Sequence, residues 1–305
     1  MDGLWRILLL QGGHNTTIVM LGAAALGIAA GAVGVFAMLR RRALVADAVA
    51  HGTLPGVAGA FILAAAAGLP GRSPLILMAG AAITAVVSLI AVQLLARQAR
   101  VTEDTATAAV LASTFGLGVA LLSIVQSLST GGQAGLDAYL FGGTAGMLER
   151  EAYVMGALAL AVLIVLLLVF KELSAAAFDP AFATASGLPL ARLDAIVALL
   201  SLATVVVGLR VVGLVLVVAL LIIPPAAARF WSDRIGVVVA VSSLIGAVSA
   251  YGGAAISAYA PDVPTGATIV VVCTVLFAAS LGFGAARGLV IRAIGVRRPV
   301  AGELR

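Results

Sequence analysis

Long uninterrupted apolar runs, rather than alternating or one-sided patterns, organise this chain. About 20 residues rising 1.5 Å each bridge a hydrocarbon core of roughly 30 Å. Nine stretches meet that length: Thr17–Leu39, Ala43–Ala66, Pro74–Leu95, Thr107–Val125, Ala152–Phe170, Leu190–Leu209, Val211–Ala228, Ile235–Ser257 and Gly266–Val290. Only Arg210 separates the sixth from the seventh, which predicts a tight turn there or one re-entrant piece, and a span count between eight and ten. The expected fold is all-α: a polytopic integral membrane helical bundle of about nine transmembrane helices. No soluble domain fits, because the longest polar segments are Gln126–Glu151 and Lys171–Leu190. Met1–Thr16, with Trp5, reads as a short interfacial helix or a frayed tail. The first run is unlike a signal peptide, since its positive cluster follows it. Small residues four apart, Gly27/Gly31, Gly52/Gly56 and Gly284/Gly288, suit close helix packing.

Composition narrows the class. The 305 residues are 63% hydrophobic without the 35 glycines and only 10% charged, against about 25% charged in soluble proteins. Mean hydropathy is +1.21. A soluble enzyme, a disordered chain and a fibrous repeat are excluded. The single Cys273 supports neither an internal disulfide nor a multi-thiolate metal site. The net charge of +5 does not point to nucleic acid, because the basic residues sit at the ends of apolar runs and form no patch interleaved with aromatics.

Those basic residues set an orientation. Arg40, Arg41 and Arg42 follow the first run, and Arg97 and Arg100 the third. Lys171 and Arg192 flank the loop after the fifth, and Arg229 and Arg234 follow the seventh. Arg287, Arg292, Arg297, Arg298 and Arg305 crowd the C-terminus. With nine spans all of these fall on one side, which the positive-inside bias makes cytoplasmic. The C-terminus is then cytoplasmic and the N-terminus outside, with His14, Asp137, Glu149, Glu151 and Asp262 on the outer loops.

Candidate chemistry lies inside the second run, ALVADAVAHGTLPGVAGAFILA, where Asp47 and His51 are four apart and share a helix face. His51 sits about 13 Å beyond Arg42, near mid-membrane. A charge there costs at least ~2.5 kcal/mol, so such residues face a cavity or a partner and are functional candidates. Carboxylate oxygen with imidazole nitrogen suits Mn²⁺, Fe²⁺ or Zn²⁺. Two ligands leave the shell incomplete, which fits a transit site. A mutually hydrogen-bonded pair that pins the bundle and a proton relay remain alternatives. Pro55 and Gly56 loosen or kink the same run, and Pro224 and Pro225 in LLIIPPAAAR predict a broken helix in the seventh. Either place could gate a pathway or serve only as a packing kink.

The segment KELSAAAFDPAFATASGLP reads as a short docking helix or as an ordinary loop helix. Asp179 fits an N-cap, Pro180 the first helical position and Gly187 a left-handed C-terminal cap, while Phe178 and Phe182 present one aromatic face. No GxxxxGK[ST] loop is present, so the chain has no ATPase motif of its own. HExxH and GxSxG are absent too.

Five segments in order, RRRALVADAVAHGTLPG, EDTATAAVLASTFGLGVALLS, LDAYLFGG, FDPAFATASGLP and VVGLVLVVALLIIPPAAARFW, resemble the permease subunit of the zinc/manganese/iron family of bacterial ABC importers. The resemblance covers nearly the whole chain and implies one transmembrane permease domain over 1–305. It implies a multi-pass subunit of the bacterial cytoplasmic membrane and a homodimer around a central pathway. Its implied partners are cytoplasmic ABC ATPase subunits and an extracytoplasmic metal-binding protein. No cofactor is implied as permanently bound; the transported ion, Mn, Zn or Fe, is the cargo. Asp47 and His51 match the family's translocation-site aspartate and histidine, and Phe178 to Gly187 its ATPase-coupling segment. Ala50 and Gly52 depart from the commoner DAxSHAxLPG, and Pro225 from the usual alanine. QAGLDAYLFG leans toward the manganese/iron branch. The function expected is that of a transport subunit rather than an enzyme, within an ATP-driven importer of divalent transition metals. The rivals are a proton-coupled secondary metal transporter, an ABC permease for a metal chelate, and a scaffold without transport.

Overall fold

In the computed structural model, residues 2–40, 43–69, 73–98, 101–127, 146–260 and 263–290 are described. Arg41, Arg42, Arg100, Asp137, Asp262, LDAYLFGG and the arginines from Arg292 onward lie outside them. The helices are α1 (Asp2–Leu8), α2 (His14–Leu39), α3 (Ala43–Ala66), α4 (Pro74–Ala96), α5 (Glu103–Ser127), α6 (Glu149–Leu168), α7 (Phe170–Phe178), α8 (Pro180–Ala185), α9 (Leu190–Val212), α10 (Leu214–Ala228), α11 (Ile235–Tyr259) and α12 (Thr265–Phe283). Among the described residues the regular structure is entirely helical. Among the described residues eight helices, α2–α6, α9, α11 and α12, are long and apolar enough to cross a membrane. The ninth apolar element, α10, has 15 residues, about 22 Å at 1.5 Å per residue.

Three expectations change. The turn placed at Arg210 lies at Gly213: α9 runs through Arg210 to Val212, and Gly213 adopts φ 82 and ψ 164, a left-handed backbone that glycine takes without steric cost. Gly208 then faces the Val217 side chain, so the chain reverses there as a helical hairpin. The last span ends at Phe283 instead of Val290. Beyond it, the Ala286 and Arg287 amides donate to the Phe230 carbonyl at 2.9 and 3.2 Å, and Gly284 rests on Phe230 instead of joining a helix–helix seam with Gly288. Finally, the fifth run stops at Leu168, and a separate nine-residue helix, α7, follows it.

The bundle has two groups. Helix α3 lies between α4 and α5, while α2 is surrounded by α6, α10 and α11, with α12 against α10 and α11. Helix α9 touches both groups. Lipid is as apolar as a helix surface, so van der Waals fit and interhelical hydrogen bonds must hold such a bundle. Small residues provide that fit. Gly27 and Gly31 of α2 lie against the backbone of Gly246 and Ser242 on α11, where the buried Ser242 hydroxyl donates to the Gly31 carbonyl at 2.7 Å. Gly52 and Gly56 of α3 lie against Ser88, Thr84 and Gly80 of α4.

These pairings fix which ends lie together. Arg40, Arg97, Lys171, Arg192, Arg229, Arg234 and Arg287 belong to one end of the bundle, with α7 and α8. His14 and Glu149, 3.8 Å apart, mark the other. Among the described residues most basic side chains thus gather at one end, while Arg6 and Arg150 lie at the other with His14 and Glu149.

A Cβ at Gly27 would overlap the Gly246 carbonyl, whereas the space around Gly59 on α3 is open. Gly27→Ala should lower the thermal midpoint in detergent. Gly59→Ala should hold or raise it, since Ala is favoured over Gly within helices by about 0.5–1 kcal/mol. Equal losses at both positions would contradict the close-packed α2–α11 seam.

Candidate metal site and docking segment

Helix α3 brings Asp47 and His51 together one turn apart. Asp47 Oδ1 and His51 Nε2 are 3.5 Å apart, and the side chains are 23% and 24% exposed. Two ligands bound at 2.0–2.2 Å to one ion stand about 3.0–3.5 Å apart, so the pair is already spaced to share a cation. The imidazole meets the Phe115 ring of α5 edge-on, with centroids 5.2 Å apart. His51 Nδ1 is buried without a hydrogen-bond partner, which leaves Nε2 as the nitrogen on the carboxylate's side. Among the described residues no group of three or more His, Cys, Asp or Glu side chains gathers to hold a metal. Two donors alone would fill half of a four-coordinate shell.

The neighbourhood is held on both flanks. Gly52 and Gly56 seat α4, and Leu54 and Pro55 lie against Gly118 of α5. Pro55 offers no N–H, so the His51 carbonyl four residues earlier loses its helical donor. Helix α3 nevertheless runs unbroken from Ala43 to Ala66.

The break expected at Pro224 and Pro225 is also absent: both are buried within continuous α10. They free the carbonyls of Leu220 and Leu221. The Leu221 carbonyl faces Gly34 of α2, and the Pro225 ring lies beside it, so a neighbouring helix covers the gap that would otherwise open the turn. The double proline therefore packs α10 on α2.

At the basic end the short helix α8 carries the expected caps. Asp179 is extended (φ −141, ψ 92), its Oδ1 accepts from the Phe182 amide at 2.9 Å, and Pro180 opens α8. Gly187 (φ 81) closes it, with its amide on the Thr184 carbonyl and that of Leu188 on the Ala183 carbonyl, both 3.0 Å. Phe178 and Phe182, expected on one helix face, instead fall on two helices: Phe178 ends α7 and Phe182 lies in α8, with extended Asp179 between them, and both are exposed, 76% and 65%.

One polar centre escaped the sequence. Arg40, read as a topology charge, is buried in an ion pair with Asp194 of α9, its Nε and Nη2 donating to the two carboxylate oxygens at 2.8 and 3.0 Å. The partners are 154 residues apart, beyond any spacing rule. The only available signal was Pro180, which has no amide for the Ala176 carbonyl.

Residues 14–284 match the ABC 3 transport family. The chain is 34% identical over 298 residues to a manganese transport system membrane protein of Bacillus subtilis, covering 97% of this chain and 66% of that protein's length. It is 35% identical over 271 residues to a zinc transport system membrane protein of Treponema pallidum, covering 89% of each. Among solved structures it resembles PsaBC from Streptococcus pneumoniae, in complex with Fab, with a TM-score of 0.77 and 28% identity over 91% of this chain and 95% of that one. With a family match spanning nearly all of its membrane helices, this chain belongs to the ABC 3 transport family.

Proposed function

We propose that this chain is the membrane-spanning permease subunit of an ATP-driven importer of divalent transition metal ions (manganese, zinc or iron), with Asp47 and His51 as its transit site. The observation that carries the site is the 3.5 Å carboxylate–imidazole pair on a helix fit to cross the membrane. A charge in that setting costs at least ~2.5 kcal/mol unless met. A divalent ion meets both groups at once. The manganese and zinc relatives support this cargo class, and QAGLDAYLFG leans toward the manganese/iron branch. A simple carboxylate–imidazole site prefers Zn²⁺ over Mn²⁺, so selection falls to a delivering protein.

The arrangement suggests an order of events. An extracytoplasmic metal-binding protein releases the ion at the end marked by His14 and Glu149. Asp47 and His51 receive it, and the same two residues of a second copy complete the shell in a homodimer. Two oxygens and two nitrogens from two protomers hold the ion without burying a full protein cage around it, so it can leave. Cytoplasmic ATPase subunits seat on the basic end, with Phe178 and Phe182 as the apolar contact and Asp179, Pro180 and Gly187 fixing the junction and short helix that present them. Their ATP cycle reopens the pathway inward. This orientation puts the basic end in the cytoplasm of a bacterial cell, the N-terminus outside, and one permease domain across 1–305.

A proton-coupled carrier using the same pair as a relay is the competing mechanism. In a host lacking its own importers, cells expressing the chain with its ATPase and binding protein should accumulate one of Mn, Zn or Fe, read by mass spectrometry. Asp47→Ala with His51→Ala should abolish that gain while the complex still co-purifies. Normal accumulation in the double variant would remove the site. Accumulation without the ATPase, collapsing under an uncoupler, would favour the relay.

Loss of an N-cap costs about 1 kcal/mol. Asp179→Ala combined with Phe178→Ala should therefore reduce recovery of the ATPase with the purified permease. Unchanged recovery would refute the docking role.

A further inference from the structure

Arg40 makes three bonds with one planar group. Besides the paired bonds to Asp194, its Nη1 donates to the Ala176 carbonyl at 2.7 Å. That carbonyl lies in the last turn of α7. The residue four places on is Pro180, which has no amide, and Asp179 between them is extended, so the chain itself offers no donor. An unmet buried carbonyl is costly, and Arg40 supplies what the proline removes. The guanidinium thus ties the end of α2, the start of α9 and the end of α7 through a rigid fork, with Arg40 and Asp194 each only 11% exposed.

The position matters as much as the bonds. Ala176 is two residues before Phe178 and three before the N-cap of α8, the outward aromatic element. Arg40 follows α2 directly, and α3 starts at Ala43, so two residues separate the fork from the helix that carries Asp47 and His51. Beside the fork, Asp194 borders a cavity of about 360 Å³ lined also by Val45 of α3, Arg97 and Glu103. Val45 is at the same time buried in an apolar cluster with Leu89 and Val92 of α4 and Val110 of α5, so the start of α3 moves together with the elements packed on it. Buried ion pairs are weak sources of net stability, and their best-attested use is to fix registry between elements. Lysine cannot reproduce the fork, because an ammonium is a point charge without planar bidentate geometry.

We propose that Arg40 is a positioning residue that carries displacement of the α7–α8 docking segment to the start of α3, and so to Asp47 and His51. The inference rests on the importer reading above. It makes Arg40 the mechanical link between the partner's ATP cycle and the metal pair, in addition to its contribution to topology.

The test uses the full chain assembled with its ATPase in lipid nanodiscs. Gly116, beside Phe115 on α5, has open space around it, so Gly116→Cys in a Cys273→Ala background reports movement at the metal pair by its rate of maleimide labelling. With Arg40 intact, trapping the complex with ATP and vanadate should change that rate. Arg40→Gln should lose the response while ATP hydrolysis and co-purification persist, and Arg40→Lys should recover only part of it. Where Arg40→Gln fails to assemble, Asp194→Asn, which keeps the shape of the pair, carries the same expectation. A full nucleotide response in the assembled variant, or none with Arg40 intact, overturns the proposal. Metal uptake is scored separately with Arg40 intact: its absence would sink the importer reading and leave the labelling response still measurable.

Discussion

Inside a membrane no water meets a backbone group that its helix leaves unpaired, so every irregularity must be answered by another helix. That constraint organises this molecule. The two prolines of α10 free carbonyls, and Gly34 of α2 comes close enough to cover Leu221. At the basic end, outside the apolar spans, Pro180 likewise strands the Ala176 carbonyl, and Arg40 reaches it. The Gly31 carbonyl takes a second bond from Ser242 across the α2–α11 seam. At Leu221 and at Ala176 the departure from helical regularity coincides with a contact between elements, so these weak points are also joints.

The Asp47–His51 pair stands apart because its irregularity is only half answered. Flanking glycines and Pro55 hold α3 firmly between α4 and α5, yet His51 Nδ1 is buried without a partner and the carboxylate–imidazole gap is wide for a direct hydrogen bond. A pair serving only to pin the bundle would close to about 2.9 Å and satisfy both partners. A gap matching the bite of one metal ion, on partly exposed side chains, fits a site filled and emptied in turn. The rest of the molecule then reads as support: rigid walls around the pair, an aromatic docking helix at the basic end, and a guanidinium fork between them.

Much of this was legible in the sequence where one local rule decides. The apolar runs marked the helices, the arginines sorted their ends, and Asp179, Pro180 and Gly187 announced their caps by residue type alone. Asp47 and His51 stood out because ionisable residues are rare in such a run. The failures share a cause. Gly213 looks like any other glycine in an apolar stretch, while Arg210 looks like a boundary, and only the positive φ distinguishes them. Pro224 and Pro225 predicted a broken helix because the compensating contact at Gly34 lies nearly 200 residues away. Arg40 has the composition of a topology signal and the structure of a buried clamp. Such tertiary compensation has no fixed spacing, and a single sequence does not display it.

The central claim is that a divalent ion passes through ligands supplied by Asp47 and His51. Metal-edge absorption spectroscopy on the ATPase-bound complex, loaded with Mn²⁺ or Zn²⁺ and held without ATP, addresses it directly. The account predicts a shell of oxygen and nitrogen ligands at about 2.0–2.2 Å with imidazole scattering that disappears in His51→Ala. An unchanged shell in His51→Ala would contradict it.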